Sequence, residues 1–320
     1  MRTVAVFCPI EPSDRERLER VLPDFTFVYE PSDEVIARAE VALGEIPPSK
    51  LPLAKHLKWL QLSMAGTDPY TKDPTVLPSS VALTNATGAF GLAIAEHMIG
   101  CLFMLVKKLH LYRDHMASHL WQNRGSVDQI EGRTVLVVGL GDLGRAFAAK
   151  MKALGCYVIG LRRTVASKPE CVDEVTTSEH LDEMLPRADF VVLCLPGTSG
   201  TAGMMSRERL MRMKQGAYLI NTGRGSAVDT DALCELLQSG YLGGAALDVT
   251  DPEPLPPSHP LWDCENALIT PHISGKYYLP KTYKNIMDIF AENLRRYGAG
   301  EELKNRVDRQ TGYCYPQNDR

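Results

Sequence analysis

The chain has 320 residues, of which 44% are hydrophobic and 23% are charged, and this composition excludes a disordered or fibrous protein. Its 35 lysine and arginine residues against 39 aspartate and glutamate residues give a formal net charge of −4. That balance argues against nucleic acid or an anionic membrane as a partner, and the length suggests roughly two domains.

Short apolar runs alternate with helical patterns through the first third of the chain, which predicts a parallel α/β sheet. The candidate strands are Thr3–Phe7, Phe25–Tyr29, Val41–Glu45, Leu57–Ser63 and Val81–Asn85. Ser13 is the predicted N-cap of the helix after the first strand. The N-terminal run has no signal-peptide cleavage site and the eight cysteines have no metal-ligand spacing, so we expect a cytoplasmic protein with reduced thiols and no metal.

A long helical stretch from about Gly91 to His110 separates this series from a second one. Glu96 and His97 interrupt the stretch, which is too short and too polar to span a bilayer, so we expect a buried helix. The second series of candidate strands comprises residues 134–139, 156–161, 189–195, 217–222, 244–249 and 266–270.

The last helix is predicted from Ile286, Phe290 and Leu294, which share one face, and it is expected to end at Gly298. Two long helices therefore bracket the second series of strands. This arrangement predicts an inserted domain of residues 100–284 within a domain made of residues 1–99 and 285–320.

The segment that begins at Val135 carries the most informative motif. A strand pattern leads directly into Gly139, Gly141 and Gly144 in GxGxxG spacing, and a helical pattern follows. Such glycines allow a tight turn, close approach of a pyrophosphate and close helix–strand packing, while the helix N-terminus supplies unpaired N–H groups. An ordinary strand-to-helix turn is the alternative, but the strand–turn–helix context favours dinucleotide binding.

The end of the next strand indicates which nicotinamide dinucleotide is preferred. NAD-binding domains usually place an acidic residue there, about 20 residues after the glycines. Here Arg162 and Arg163 occupy that place. Arginine binds a 2′-phosphate with charge-assisted hydrogen bonds, whereas a carboxylate repels it. We therefore predict that NADP(H) is preferred and NAD(H) is possible, with two solvated surface arginines as the alternative.

Three further loops follow predicted strands of the same domain, where a doubly wound sheet gathers its ligand sites. Arg224 follows the first strand and could bind a carboxylate bidentately or form a structural ion pair. Asp248, Asp251 and Glu253 follow the second strand, and His272 follows the third. Reduction of a 2-keto acid needs a cation for the carboxylate and an acid that titrates near neutral pH. An adjoining carboxylate would stabilise a protonated histidine.

The order and spacing of these motifs resemble the D-isomer-specific 2-hydroxyacid dehydrogenase family over nearly the whole chain. The matching segments are LKWLQLSMAGTD, IAEH, VVGLGDLG, LCLPGTSGT, LINTGRG, ALDVTDPEPLP and ITPHISG. The resemblance implies two doubly wound parallel-sheet domains, one Rossmann-like and one flavodoxin-like, with an active-site cleft between them. It also implies a homodimer.

The resemblance assigns roles to individual residues. Arg224 would orient the keto acid, Glu253 would support the imidazolium, and His272 would donate a proton to the carbonyl oxygen. The backbone of the loop Met64, Ala65 and Gly66 would bind the substrate carboxylate. The expected cofactor contacts are Gly139, Gly141, Asp142, Leu143, Gly144, Arg162, Arg163, Thr164, Leu195, Pro196, Thr201, Thr222, Gly223, Asp248, His272 and Gly275. Asp248 would lie near the nicotinamide carboxamide, and His97 is expected to be structural.

The expected function is therefore an NADP(H)-dependent reductase of a small 2-keto acid such as glyoxylate or hydroxypyruvate. Glu253 argues against the formate dehydrogenase branch, which resembles this scaffold but has a neutral amide at that place. A nucleotide-sensing, corepressor-like interaction protein and a phosphoglycerate dehydrogenase-like enzyme are the alternatives. No contact with nucleic acid or membrane is expected.

Overall fold

The computed structural model describes residues 2–164, 167–276, 279–309, 312 and 314. The chain divides into two compact units. The first unit comprises Met1–Phe90 and Tyr277–Arg320, and the second unit comprises Gly91–Lys276. The boundaries expected from the sequence, 99/100 and 284/285, fall inside two long helices, whereas the unit boundaries precede both helices. Each of these helices therefore belongs wholly to one unit.

The first unit is built on a parallel sheet. Its elements up to residue 90 are β1 (Arg2–Val6), α1 (Pro12–Val21), β2 (Phe25–Tyr29), α2 (Asp33–Arg38), β3 (Val41–Leu43), β4 (Trp59–Gln61), α3 (Asp68–Thr71) and β5 (Ala82–Thr84). Across residues 2–90 the strands pair in the parallel order β2-β1-β3-β4-β5. This is the flavodoxin-like order, whose ligands bind beyond the carboxyl ends of the strands at the switch point between β1 and β3.

The second unit contains a larger parallel sheet. Its elements are α4 (Gly91–Val106), α5 (Leu109–Ala117), β6 (Thr134–Val138), α6 (Asp142–Ala153), β7 (Tyr157–Arg162), β8 (Glu174–Thr177), α7 (Leu181–Met184), β9 (Phe190–Leu193), α8 (Arg207–Arg212), β10 (Tyr218–Asn221), α9 (Thr230–Gln238), β11 (Gly244–Leu247) and β12 (Ala267–Ile269). Across residues 91–164 and 167–276 the strand order is β12-β11-β10-β9-β6-β7-β8. This is the Rossmann arrangement with one additional edge strand, and its switch point lies between β6 and β9.

A buried polar network joins the last helix, α10 (Pro280–Ala299), to the sheet of the first unit. The Asn293 amide donates to Gln61 Oε1 at 2.7 Å, and the Thr84 hydroxyl donates to the same oxygen at 2.8 Å. The indole N–H of Trp59 in turn donates to Thr84 Oγ1 at 2.8 Å. All four side chains are fully buried. Because each buried polar group has a partner, the network fixes α10 on β4 and β5 at little desolvation cost.

The predicted fold class is confirmed, because both units contain doubly wound parallel sheets. Every strand expected from an apolar run is present, and the structure adds β8 (Glu174–Thr177) at the sheet edge. This strand escaped prediction because its sequence, EVTT, is polar and only half-buried. Within the described ranges, no helix combines the length and the apolar character needed to cross a bilayer.

Three local predictions at helix ends were wrong. The first helix begins at Pro12 with Glu11 as its N-cap, so Ser13 lies inside it, because the fixed φ of proline suits the first helical turn. The last helix passes Gly298 and ends at Ala299, and Gly300, whose φ is 69°, forms its left-handed C-cap. The stretch expected as one helix breaks at Lys108, which has a φ of 55°.

Candidate active site

The glycine-rich turn has the geometry of a pyrophosphate cradle. A Cβ on Gly144 would lie 1.9 Å from the carbonyl oxygen of Gly139, so only glycine permits this packing of α6 on β6. Gly139 has a φ of 104°, which also favours glycine. By contrast, a Cβ on Gly141, the N-cap of α6, would meet no atom of the described residues within 4 Å. The open space therefore lies at the helix N-terminus, where a pyrophosphate would bind, and the residues present fit a dinucleotide.

The side chains around this turn hold its neighbouring loops in place. The Asp142 carboxylate accepts a hydrogen bond from Gly91 N at 2.9 Å, which ties the start of α4 to the start of α6. The Thr201 hydroxyl donates to the carbonyl oxygen of Pro196 at 2.7 Å and closes the loop after β9. The Thr222 hydroxyl contacts Met98 Sδ at 3.3 Å. In this structure the expected cofactor residues Asp142, Thr201 and Thr222 therefore also stabilise the loops themselves.

Arg162 and Arg163 lie at the carboxyl end of β7, next to the strand that carries the glycine turn. Arg163 and Thr164 are exposed, and Arg162 is half-buried with one long contact from Nη1 to the carbonyl oxygen of Ser167 at 3.4 Å. The end of the second Rossmann strand is where the adenosine ribose is recognised. Two guanidinium groups therefore stand where a 2′-phosphate would require positive charge.

The loop that carries Arg224 is held by hydrogen bonds between its backbone and the Asn221 side chain. The Asn221 side chain accepts from Gly223 N at 3.0 Å and donates to the carbonyl oxygen of Arg224 at 2.9 Å. A Cβ on Gly225 would lie 1.9 Å from the carbonyl oxygen of Thr250, so this turn packs directly against the loop after β11. The half-buried Arg224 donates from Nη1 to the carbonyl oxygen of Gly223 at 2.8 Å. Its guanidinium is thus held at the carboxyl edge of β10.

Glu253 and His272 form a close pair at the same edge. His272 Nδ1 lies 2.6 Å from Glu253 Oε1, and the two side chains are 47% and 42% exposed. Since a carboxylate only accepts, Nδ1 carries the proton in this bond and Nε2 is the ring nitrogen left for a substrate. Arg224, Glu253 and His272 follow β10, β11 and β12, three strands adjacent in the sheet. The predicted set is therefore gathered at one edge of the second unit.

The buried Asp248 organises the segment that carries His272. Its Oδ1 accepts from the Thr270 hydroxyl at 2.6 Å and from Ile273 N at 2.9 Å, and its Oδ2 accepts from Ser274 N at 3.0 Å and from the Ser274 hydroxyl. The N–H of His272, whose φ is 50°, donates to the carbonyl oxygens of Asp248 and Thr270, both at 2.9 Å. This clamp holds His272 in a left-handed conformation that a non-glycine residue adopts rarely.

In the first unit, the loop expected to bind the substrate carboxylate already contacts a carboxylate of the protein. Glu45 Oε1 accepts from Ser63 N at 2.9 Å and from Met64 N at 3.2 Å, and Oε2 accepts from the Ser63 hydroxyl at 2.8 Å. Within residues 2–164, neither Ala65 N nor Gly66 N has a protein acceptor. A bound anion would therefore meet these two N–H groups rather than that of Met64. Glu45 was not predicted as a site residue, although its place two residues after β3 is a signal for this edge.

The cysteines near the sheet edges have raised thiol pKa values, and the described residues form no cluster of metal-ligating side chains. Burial raises the pKa of the Cys194 thiol to about 12 and that of the Cys8 thiol to about 12. Both thiols therefore keep their protons at neutral pH and are poor nucleophiles. Among the residues that the structure describes, no group of three or more His, Cys, Asp or Glu side chains is placed to share a metal ion.

Comparison with known proteins places these features in a family. The family model "D-isomer specific 2-hydroxyacid dehydrogenase, NAD binding domain" matches residues 99–274. A glyoxylate reductase from Thermofilum pendens is 30% identical over 253 residues, which cover 78% of this chain and 74% of that protein.

Solved structures of other proteins superpose on almost the full length of this chain. A D-isomer specific 2-hydroxyacid dehydrogenase family protein from Aeromonas salmonicida subsp. salmonicida matches with a TM-score of 0.85 and 32% identity, covering 96% of this chain and 99% of that one. An NADPH-dependent glyoxylate/hydroxypyruvate reductase from Sinorhizobium meliloti, in complex with NADP and sulfate, matches with a TM-score of 0.81 and 27% identity, covering 98% and 100%. The chain therefore belongs to the D-isomer-specific 2-hydroxyacid dehydrogenase family of NAD(P)-dependent oxidoreductases.

Proposed function

We propose that the protein is an NADP(H)-dependent reductase of small 2-keto acids, with glyoxylate and hydroxypyruvate as the first substrates to test. The observation that carries the proposal is the 2.6 Å pair of His272 Nδ1 and Glu253 Oε1 at the sheet edge that also presents Arg224. A histidine beside a carboxylate is suited to hold a proton near neutral pH and deliver it to a ketone oxygen. The glyoxylate reductase names among the relatives support the substrate class.

The roles of the chain's own residues follow from this geometry. NADPH, when bound, supplies the hydride that reduces the keto carbon. His272 donates the Nε2 proton to the carbonyl oxygen as the alcohol forms, and Glu253 stabilises the protonated ring through Nδ1. Arg224 binds the substrate carboxylate and polarises the carbonyl next to it. In the first unit, Ala65 N and Gly66 N are proposed as donors to a bound carboxylate.

Cofactor preference is assigned to Arg162 and Arg163. Replacing both with serine is expected to raise the KM for NADPH at least about tenfold, because each charge-assisted bond contributes roughly 1.5–3 kcal/mol. The KM for NADH should stay within about twofold, since NADH has no 2′-phosphate for these side chains to bind. Steady-state kinetics with both cofactors measure the two values. Equal losses with NADH and NADPH would contradict the assignment.

The test of the function is NADPH oxidation with a panel of 2-keto acids. Turnover of glyoxylate or hydroxypyruvate above that of longer keto acids is expected. Phosphohydroxypyruvate as the best substrate would instead favour a phosphoglycerate dehydrogenase-like enzyme. Tight NADPH binding with no turnover of any panel member would favour a nucleotide-sensing interaction protein on this scaffold.

Glu253→Gln tests the paired carboxylate. Glutamine can still accept from Nδ1 but carries no charge, so the protonated imidazole loses electrostatic stabilisation. The kcat for keto-acid reduction is therefore expected to fall about tenfold at a fixed neutral pH, with the KM for NADPH changed less than about twofold. Steady-state kinetics measure both values, and an unchanged kcat would remove Glu253 from this role.

A homodimer remains part of the proposal, and the second unit offers a surface for it. Leu109, Met116, Leu120 and Trp121 are exposed within one short stretch of chain, and the Trp121 side chain is fully exposed. Clustered exposed apolar side chains usually mark an interface. Light scattering after size-exclusion chromatography should give the mass of two chains, whereas a monomer at micromolar concentration would contradict the assignment.

A further inference from the structure

His97 lies in the middle of α4, and the reaction proposed above leaves it without a role. Its ring Nε2 lies 3.2 Å from Thr270 Oγ1 and 3.5 Å from the Sγ of Cys101, one turn further along the same helix. Burial, followed by the charge of Asp248, raises the pKa of the Cys101 thiol to about 11, so that thiol stays neutral. The contact that reaches outside the helix is therefore the one to Thr270, two residues before His272.

The direction of these hydrogen bonds follows from the chemistry of the groups. Asp248 is a carboxylate and only accepts, so the hydroxyl hydrogen of Thr270 points to Asp248 Oδ1 at 2.6 Å. The Thr270 oxygen is then left as an acceptor for His97. His97 Nε2 must therefore carry a hydrogen and donate it to Thr270. A single hydroxyl thus links α4 to the Asp248 carboxylate.

Asp248 also forms hydrogen bonds with the backbone around His272. Its two oxygens bind the N–H groups of Ile273 and Ser274, directly after His272, while its own carbonyl oxygen accepts from the N–H of His272. A rotation of the Asp248 carboxylate would shift all of these donors together. Since His272 has a φ of 50°, its ring direction depends on that backbone being held.

We propose that His97 is a positioning residue, which acts through the Thr270 hydroxyl and the Asp248 carboxylate to fix the direction of the His272 ring. The proposal rests on the proposed function only in calling His272 the proton donor. α4 is a suitable anchor because its N-terminus is already tied to Asp142 and its Met98 contacts Thr222. The helix that carries His97 therefore contacts the cofactor turn, the loop of β10 and the His272 segment.

Two pairs of matched variants separate positioning from bulk packing. His97→Leu removes the donor, whereas His97→Gln keeps an N–H at a similar reach. Thr270→Val removes the hydroxyl at nearly constant shape, whereas Thr270→Ser keeps it. The variants His97→Leu and Thr270→Val are expected to lower kcat about tenfold and to change KM less than threefold, because a small displacement of a reacting group lowers the rate strongly. The variants His97→Gln and Thr270→Ser should keep kcat within about threefold of the unmodified enzyme.

The double variant His97→Leu/Thr270→Val adds a test of coupling. Both changes break one chain of hydrogen bonds, so the double variant should lose about as much kcat as either single variant. Multiplied losses would indicate two independent structural effects and overturn the proposal. The proposal would also be overturned if His97→Leu and His97→Gln had equal kcat values and equal melting temperatures.

A measurement that needs no turnover keeps this inference distinct from the proposed function. The ¹H–¹⁵N signals of the His272 ring, identified by their loss in His272→Ala, should move in the leucine and valine variants and return in the glutamine and serine variants. If the unmodified protein reduces no keto acid but the signals behave this way, only the proposed function fails. If keto acids are reduced and the signals stay in place in all four variants, only the positioning role fails.

Discussion

Replacing His272 with alanine is expected to lower kcat for keto-acid reduction by at least about 10²-fold, the lower end of what general acid catalysis contributes. Alanine removes the Nε2 donor, and Glu253 cannot take its place directly, because its Oε1 lies 2.6 Å from Nδ1 on the other side of the His272 ring. NADPH affinity should stay within about threefold, since the glycine turn and both arginines are unchanged. Steady-state kinetics and a fluorescence titration of NADPH measure the two quantities.

His180 offers a matched control for this variant. It also pairs with a carboxylate, Glu183, at 3.3 Å, and its side chain is 49% exposed, close to the 47% of His272. It lies between β8 and α7, remote in the chain from the loops of Arg224, Glu253 and His272. His180→Ala should therefore leave kcat unchanged. If His272→Ala also turned over normally, the proton would have to come from solvent, and His272 would leave the proposed mechanism.

The sequence indicated the parts of the fold and site that depend on local pattern. Buried parallel strands are continuous apolar runs, and a parallel sheet gathers the loops after its strands at one edge. For this reason the sequence alone predicted that the loops of Arg224, Glu253 and His272 lie at one edge of the sheet, without knowledge of the strand order. The glycine turn could also be predicted from the sequence, because Gly139 and Gly144 lie where a side chain would clash, so that the turn requires glycine at both positions.

The missed residues are polar side chains whose partners lie far away in the chain. Glu45 was placed at the end of the predicted strand Val41–Glu45 and given no role, yet its carboxylate binds the loop at Ser63. Asn293 lies on the face of a helix where a solvated amide would be equally plausible, and it is buried on Gln61. His97 was expected to be structural, but its partner Thr270, 173 residues further along the chain, was not predicted. Local pattern does not encode such pairs, because the hydrogen bond that justifies burial forms only in the folded chain.

Gly141→Ala is expected to weaken NADPH binding at least about tenfold while leaving the free energy of unfolding within about 0.5 kcal/mol of the unmodified value. The φ of Gly141 is −76°, which alanine adopts without strain, and in the part of the chain that the structure describes no atom lies within 4 Å of a Cβ there. In the holoenzyme the same methyl group would occupy the space that a pyrophosphate needs at the N-terminus of α6. The loss should therefore appear in binding and not in stability.

Gly144→Ala, three residues further on, is expected to lower stability first and NADPH binding only as a consequence. Its Cβ would lie 1.9 Å from the carbonyl oxygen of Gly139, and backbone must move to make room for it. This variant should unfold more easily, by roughly 1–3 kcal/mol, and lose NADPH affinity as a consequence. Urea denaturation paired with NADPH titration distinguishes the two glycines. Unimpaired NADPH binding by a well-folded Gly141→Ala protein would show that the pyrophosphate does not approach this turn, and the assignment of the dinucleotide site would have to be abandoned.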